Sequence, residues 1–257
     1  MSNIKTVMLG KVEVGSGAPK VIVPIVGKTR EDIVAKGKEL TQYTMDVVEW
    51  RVDFYDDVFD IPQVVETGRQ LRATLNDTPI LFTFRTKKEG GEKEITMDAY
   101  TALNKAMAES GYVDAIDVEI FSGDDVVHEN IANIHAAGIP VVGSNHDFFK
   151  TPTKADLISR LCKMQDMGAD IPKIAVMPQS KSDVIVLLDA TSEMAEKYAT
   201  RPLITMSMSK LGVISRLVGE AFGSSMTFGA VGQVSAPGQI PVEKLQTAMA
   251  IVHEAQK

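Results

Sequence analysis

Eight segments with the composition of buried strands follow one another along the chain, and helical patterns separate them. The segments begin roughly 24 to 34 residues apart, a spacing typical of strand-helix units. They lie at residues 20–27, 47–53, 80–85, 113–120, 139–146, 168–177, 202–208 and 226–231. Eight such units in a chain of 257 residues indicate a (β/α)8 barrel. A doubly wound open sheet is the competing fold, but it does not need eight regular units, and no G-x-G-x-x-G sequence follows any strand.

The segments between the strands carry helix-start signals. Thr29 precedes Asp32 by three positions and Thr153 precedes Asp156 by the same spacing, which is the pattern of a capping box. Within residues 7–14, short apolar segments lie on both sides of Gly10, a pattern that predicts a small β-hairpin. We therefore predict an α/β fold, a (β/α)8 TIM barrel with a short N-terminal β-hairpin, as a single domain over residues 1–257.

Composition excludes several classes of partner. The formal charge of -7 argues against nucleic acid and anionic membranes as partners. The single cysteine, Cys162, cannot form an intrachain disulfide, so we expect a reducing compartment, the cytoplasm. There is no signal-peptide pattern and no apolar run of membrane-spanning length. The four histidines and the cysteine show no metal-ligand spacing, so we expect no metal.

Polar residues share one face of several predicted strands. Side chains alternate along a strand, and in a barrel the face that does not pack on helices points into the lumen. The residues on those faces, or at the ends of the same strands, are Glu49, Arg51, Asp53, Arg85, Asp117, Glu119, His146 and Lys173. An exposed sheet edge could explain one such strand, but a closed barrel has no edges. We therefore predict a polar site near the carboxyl ends of the strands, where barrel enzymes keep their chemistry.

Lys173 lies in the middle of an apolar strand, where a charged ammonium is costly. It either reaches solvent from an edge strand or serves as an uncharged amine that attacks a carbonyl. His146 is the natural proton shuttle for such chemistry, because the other histidines fall in helical patterns. From the residues alone, Glu89 in the charged run 87–89 could orient the imidazole, but a solvated loop residue is the better interpretation. Arg216 fits a helix surface and a substrate-binding cation equally well, and with Arg51 and Arg85 it would favour an anionic substrate.

At this point the chain resembles a known family over nearly its whole length, the type I 3-dehydroquinate dehydratases of the shikimate pathway. Each matching segment alone would be a weak signal, and together they are highly specific. The segments are EWRVD at 49–53, FTFR at 82–85, EGG at 89–91, SNHDF at 144–148, PKIAVMP at 172–178, ITMSMSK at 204–210, GVISR at 212–216 and SAPGQ at 235–239.

The resemblance implies a (β/α)8 barrel that dehydrates 3-dehydroquinate to 3-dehydroshikimate and water through a Schiff base, with no metal or cofactor. It implies that Lys173 forms the imine, that His146 is the general acid and base, and that Glu89 positions His146. It also implies a homodimer.

The resemblance further implies how a small anionic substrate is bound. Arg216 matches the arginine that binds the substrate carboxylate. Glu49, Arg51 and Arg85 match residues that contact the hydroxyls and frame the site. The remaining matches are the apolar lining of Met206, Met208 and Phe228 and the closing loop with Ser235 and Gln239. One departure is Pro24, at the end of the first strand, where some members carry a serine that reaches the substrate; we expect this to change affinity and not the type of reaction.

Two alternatives stay open. Another lysine-imine barrel, a class I aldolase, would share the nucleophile and cleave a carbon–carbon bond. A barrel that binds small carboxylates without turnover would be favoured if Lys173 stayed charged and paired with Asp117 or Glu119.

Overall fold

The computed structural model describes residues 4–232 and 238–257. Within these residues, nine parallel strands form one sheet, and a separate two-stranded antiparallel hairpin precedes it. The hairpin strands are β1 (Val7–Leu9) and β2 (Val12–Val14), and the sheet strands are β3 (Lys20–Ile25), β4 (Val47–Arg51), β5 (Ile80–Thr83), β6 (Ala115–Glu119), β7 (Val141–Asp147), β8 (Ile171–Val176), β9 (Ile204–Ser207), β10 (Met226–Ala230) and β11 (Ile240–Pro241).

The strands from β3 to β9 pair in chain order, and β10 pairs with β3. The two ends of this order meet where the amide of Ser225 donates a hydrogen bond of 2.8 Å to the carbonyl of Leu203. Leu203 also forms a parallel bridge with Ser224. Eight strands, β3 to β10, therefore curl into a barrel, and the predicted TIM-barrel fold with its N-terminal hairpin is confirmed.

Helices follow the strands on the outside of the barrel. They are α1 (Arg30–Leu40), α2 (Ile61–Leu75), α3 (Met97–Glu109), α4 (Asp124–Ala136), α5 (Lys154–Asp166), α6 (Lys181–Glu193), α7 (Val213–Leu217), α8 (Gly219–Phe222) and α9 (Val242–Ala255). Thr29 caps α1 through a reciprocal pair with Asp32, and the Thr153 hydroxyl accepts from the Asp156 amide at 3.3 Å, so both predicted caps are confirmed. None of the helices in the described ranges combines the length and apolarity needed to cross a membrane.

Two apolar clusters divide the interior. The outer cluster lies between sheet and helices and includes Val48, Trp50 and Val52, the face of the second strand predicted to pack on helices. The inner cluster fills the lumen from the amino ends of the strands, where Leu9 and Val14 of the hairpin join it. Because this end is filled, open space in the lumen is confined to the carboxyl ends.

All eight predicted strands are shorter in the structure, and in two of them the shortening moves polar residues past the strand end. Residues 52–54 form a 3-10 turn after β4, and Asp53 turns back to accept two hydrogen bonds from Arg51. β5 ends at Thr83, two residues before Arg85. In both places the polar side chains therefore lie at the mouth of the barrel, just past the last paired residue.

Candidate active site

A pocket opens at the carboxyl ends of the barrel strands, with about 500 Å³ of free space when the open solvent at its mouth is included. Its lining contains these residues predicted from the sequence: Glu49, Arg51, Arg85, Glu89, His146, Lys173, Met206, Met208, Arg216, Phe228 and Gln239. The other predicted polar residues, Asp53, Asp117 and Glu119, do not line the pocket but contact Arg51, Lys173 and Arg85. Ser235 lies outside the described residues. Gly90, Phe148 and Ala175 complete the lining.

Lys173 does not reach solvent, because only 3% of the residue is exposed. Its ammonium lies 3.2 Å from Asp117 Oδ2 and 3.7 Å from Glu49 Oε1. The ring of Phe228 lies on another side, with its centroid 4.8 Å from Nζ. The edge-strand interpretation of Lys173 is therefore wrong. Its partner is Asp117, one of the two pairings that would favour the binding-barrel alternative.

Asp117 is fully buried in β6 and is contacted by two cations and one hydroxyl group. Arg85 Nη2 lies 2.8 Å from Oδ2, and Ser144 Oγ donates to Oδ1 at 2.6 Å, in addition to the contact from Lys173. Burial alone would raise the pKa of Asp117, but the two cations and the hydrogen bonds outweigh it, and the pKa is lowered. Asp117 therefore remains a carboxylate that fixes the position of the lysine.

Glu89 is buried, with 6% of the residue exposed, so the solvated-loop interpretation is wrong. Residues 87–89 form a 3-10 turn that Gly90 ends at a φ of 84°, a conformation that favours glycine. A Cβ at Gly91 would lie 1.8 Å from the Arg85 carbonyl, so this turn packs against the strand end only because residue 91 has no side chain. The turn directs Glu89 into the pocket.

Glu89 and His146 form a hydrogen-bonded pair. Glu89 Oε2 lies 3.0 Å from the imidazole Nδ1 and also accepts from the His146 backbone N–H at 2.9 Å. While Glu89 is ionised it can only accept, so Nδ1 carries the hydrogen and Nε2 is the basic nitrogen. When Glu89 is protonated it can donate to Nδ1, and the ring hydrogen then resides on Nε2, which is no longer a base.

Burial sets the proton affinities of this pair. It lowers the pKa of His146 well below its usual range, and the nearby cations Arg85, Lys173 and Arg51 lower it further. Burial, with the nearby charge of Glu119, raises the pKa of Glu89 to about 8, although Arg85 opposes this. The imidazole is thus neutral at neutral pH, and the pair reaches its basic form as pH rises through the pKa of Glu89.

Three arginines place positive charge at the pocket. Arg51 is paired with Asp53, with Nη2 2.8 Å from Oδ2, while Arg85 Nη1 lies 2.9 Å from Glu119 Oε1. Arg216 belongs to α7 but is only 1% exposed, so the helix-surface interpretation is wrong. Burial lowers the pKa of Arg216 to about 10, which leaves it cationic at neutral pH. Together the three cations would attract an anion that enters the pocket.

Pro24 lies within β3, opposite Glu49, one residue before the strand ends.

In the described ranges, no cluster of three or more His, Cys, Asp or Glu side chains could hold a metal ion.

The model of the type I 3-dehydroquinase family matches residues 21–256. The chain belongs to the type I 3-dehydroquinase family. It is 52% identical over 251 residues to the 3-dehydroquinate dehydratase of Clostridioides difficile strain 630, covering 98% of both chains. It is also 52% identical over 252 residues to that of Salmonella agona strain SL483, covering 98% of this chain and all of the relative.

Solved structures of this type I 3-dehydroquinase family superpose closely on the chain. The crystal structure of the Clostridium difficile type I 3-dehydroquinate dehydratase with covalent modified comenic acid has a TM-score of 0.95 and 51% identity, and the match covers 98% of this chain and 99% of that one. The 3-dehydroquinate dehydratase of Geobacillus kaustophilus HTA426 has a TM-score of 0.96 and 35% identity over the full length of both chains.

Sequence reasoning missed the part played by residues next to the predicted ones. Phe148 stacks on the His146 ring, with centroids 6.4 Å apart and an interplanar angle of 23°. Gly90 lies against the same phenylalanine, since a Cβ there would meet the Phe148 ring at 2.3 Å. Gly90 belongs to the segment EGG and Phe148 to the segment SNHDF. Both segments carry the resemblance to the family, but nothing in the sequence indicated that these two residues are in contact.

Proposed function

We propose that the protein dehydrates 3-dehydroquinate to 3-dehydroshikimate through an imine on Lys173. The observation that supports this most strongly is the placement of a buried lysine amine, a buried Glu89–His146 pair and a buried Arg216 around one pocket. The relatives at 52% identity are 3-dehydroquinate dehydratases, which supports the same reaction here.

The reaction begins when the Lys173 ammonium gives a proton to His146 Nε2 and the free amine that results attacks the C3 ketone of the substrate. The carbinolamine that forms loses its hydroxyl as water, with His146 supplying the proton, and a protonated imine remains. The imine withdraws electrons from C2, so that the C2 hydrogen becomes acidic.

His146 Nε2 then removes the C2 proton and an enamine forms. The enamine electrons expel the C1 hydroxyl, and the imidazolium returns the proton to the leaving oxygen, which departs as a second water. Hydrolysis of the product imine consumes one water and frees Lys173. The balance is one substrate converted to one enone and one water, with the lysine and histidine unchanged.

The arginines and the polar residues around them bind and orient the substrate in this proposal. Arg216 takes the substrate carboxylate, and Arg51, Arg85 and Glu49 contact the hydroxyls. Met206, Met208 and Phe228 supply the apolar wall. Ser235 and Gln239 belong to the segment proposed to close over the substrate.

The Lys173–Asp117 ion pair favours a second candidate, a barrel that binds carboxylates without turnover. Incubation with 3-dehydroquinate separates the two, because the conjugated enone product absorbs ultraviolet light and the substrate does not. We expect absorbance to grow, with or without a chelator, and borohydride added during turnover to leave a reduced adduct on Lys173. Binding without absorbance change or adduct would support the binding barrel, and carbon–carbon cleavage products would support an aldolase.

Gln239→Ala should weaken substrate binding by about 1–3 kcal/mol, because it leaves a buried partner of the substrate unpaired. Gln239 lines the pocket beside Gly238, which lies at a φ of 81°. The adduct on Lys173 should still form, since Gln239 is neither nucleophile nor base. Gln246→Ala on α9 is the control, because that side chain donates to the carbonyl of Thr44 outside the pocket. Equal binding by Gln239→Ala and Gln246→Ala would remove Gln239 from the proposal.

We also propose that residues 1–257 form one domain and that the protein works in the cytoplasm as a homodimer. The pairing of β3 with β10 supports the single domain, since it joins the two ends of the chain in one barrel. The homodimer rests on the resemblance to the type I 3-dehydroquinate dehydratases, which implies it. Sedimentation equilibrium would test the dimer, and a mass of one chain would contradict it.

A further inference from the structure

A side-chain amide connects the Glu89–His146 pair to a helix outside the barrel. Asn145 lies in β7 next to His146 and is 8% exposed. Its Nδ2 donates to Glu89 Oε1 at 3.1 Å, and its Oδ1 accepts from Arg160 Nη1 at 3.1 Å. A carboxylate accepts only from the amide nitrogen and a guanidinium donates only to the amide oxygen, so the two partners fix the orientation of the amide.

Arg160 is itself held in place. It belongs to α5, where Nη2 donates to Asp156 Oδ2 at 2.9 Å, and Nη1 lies 3.9 Å from Asp147 Oδ2. Asp147 in turn accepts from the backbone N–H groups of Phe149 and Lys150, both at 3.0 Å. Arg160 therefore links α5 to Asn145 and to the turn that follows β7, and the amide is anchored at the end far from the pocket.

The Glu89 carboxylate is consequently held by donors on both oxygens. Oε2 receives the His146 backbone N–H and faces Nδ1, while Oε1 receives Asn145 Nδ2. Without the Asn145 bond, the carboxylate can rotate about its last torsion, which is broad for glutamate. A rotation would move Oε2 away from Nδ1.

We propose that Asn145, anchored by Arg160, is a positioning residue that holds Glu89 in the rotation that keeps the His146 hydrogen on Nδ1 and leaves Nε2 as the base. This inference rests on the proposed function, because it assigns the proton transfers to His146. Asn145 acts through Glu89 and does not line the pocket in the described structure.

The charges around Glu89 and His146 indicate how loss of the Asn145 hydrogen bond would change the pKa of Glu89. Glu89 faces Arg85 of the β5 end and the carboxylates Asp117 and Glu119 of β6, and His146 faces Arg85, Arg51 and Lys173. Burial, Glu119 and Asp117 raise the pKa of Glu89, while Arg85 and the Asn145 hydrogen bond lower it. Loss of that bond should raise this pKa further. The ionised pair would then form only at higher pH.

The test measures kcat and KM against pH for Asn145→Ala. We expect kcat at neutral pH to fall about 10-fold with KM within about 2-fold, and the acidic limb of the kcat profile to move up by about one pH unit. The matched control is Asn104→Ala, which removes another buried amide, one that donates to Asn130 between α3 and α4. That control should lower thermal stability and leave the acidic limb in place.

A second readout needs no turnover. Nitrogen-15 NMR of the His146 ring distinguishes hydrogen on Nδ1 from hydrogen on Nε2, and Asn145→Ala should move the change between them to higher pH. Arg160→Met should shift both readouts in the same direction by less, and it provides the test if Asn145→Ala does not fold. The inference would be overturned if these variants kept both the acidic limb of the kcat profile and the His146 NMR titration at their wild-type pH values. A wild-type protein that makes no product would overturn the proposed function, while the NMR titration would still decide the role of Asn145.

Discussion

Lys173→Met should abolish the borohydride adduct and lower turnover by at least about 1,000-fold, because methionine fills a similar volume but has no amine to form an imine. The barrel should still fold. Asp117 would keep Arg85 at 2.8 Å and the Ser144 hydroxyl at 2.6 Å, so its charge would not be left without partners. Thermal unfolding checks this second expectation, and product absorbance with mass spectrometry of the reduced protein checks the first.

Lys154→Met provides the matched control for this prediction. Lys154 lies at the start of α5, where it forms surface ion pairs with Asp189 and Glu193. The same substitution there should leave both turnover and the adduct on Lys173 at wild-type levels. An adduct that persisted in Lys173→Met, or disappeared in Lys154→Met, would place the imine on another residue.

The count of eight strand-helix units made the fold predictable, and the period-two alternation of the strands made the polar face of the lumen predictable. Ser144 and His146 alternate with Asn145 along β7, and Lys173 shares its face with Ala175 on β8, as the pattern indicates. Alternation predicts the face and not the partner. Register and barrel curvature decide that Lys173 meets Asp117, which lies 56 positions earlier in the chain.

The burial of Glu89 and Arg216 could not be derived from local sequence. The run 87–89 has the composition of a solvated turn, and its burial depends on the missing side chain at Gly91 and on hydrogen bonds to Asn145 and His146. Arg216 lies in a five-residue helix that gives too little periodicity to distinguish a buried face from an exposed one. Only the resemblance to a family placed these two residues in the site.

His146→Ala should lower kcat by at least about 100-fold, the smallest contribution expected from a general acid-base group. The two proton transfers after imine formation both require Nε2, and alanine provides no substitute. Lys173 keeps its amine in this variant, so borohydride should still trap substrate on it, at a lower rate because carbinolamine dehydration also uses His146. Accumulated adduct with little enone would distinguish loss of proton transfer from loss of binding.

The pH dependence of the wild type gives the same residue a second test. Glu89 has a raised pKa of about 8, so it is protonated below that pH and the ring hydrogen is directed to Nε2. As pH rises through this pKa, Glu89 ionises, Nε2 becomes basic, and the rate of C2 proton removal should increase. In His146→Ala, kcat should be low at every pH, and its increase as pH rises through the pKa of Glu89 should disappear. His135→Ala serves as the control, since that ring pairs with Asp170 at 2.8 Å in a helix outside the pocket. A His146→Ala protein with near-normal kcat and an unchanged acidic limb would mean that another group moves the protons.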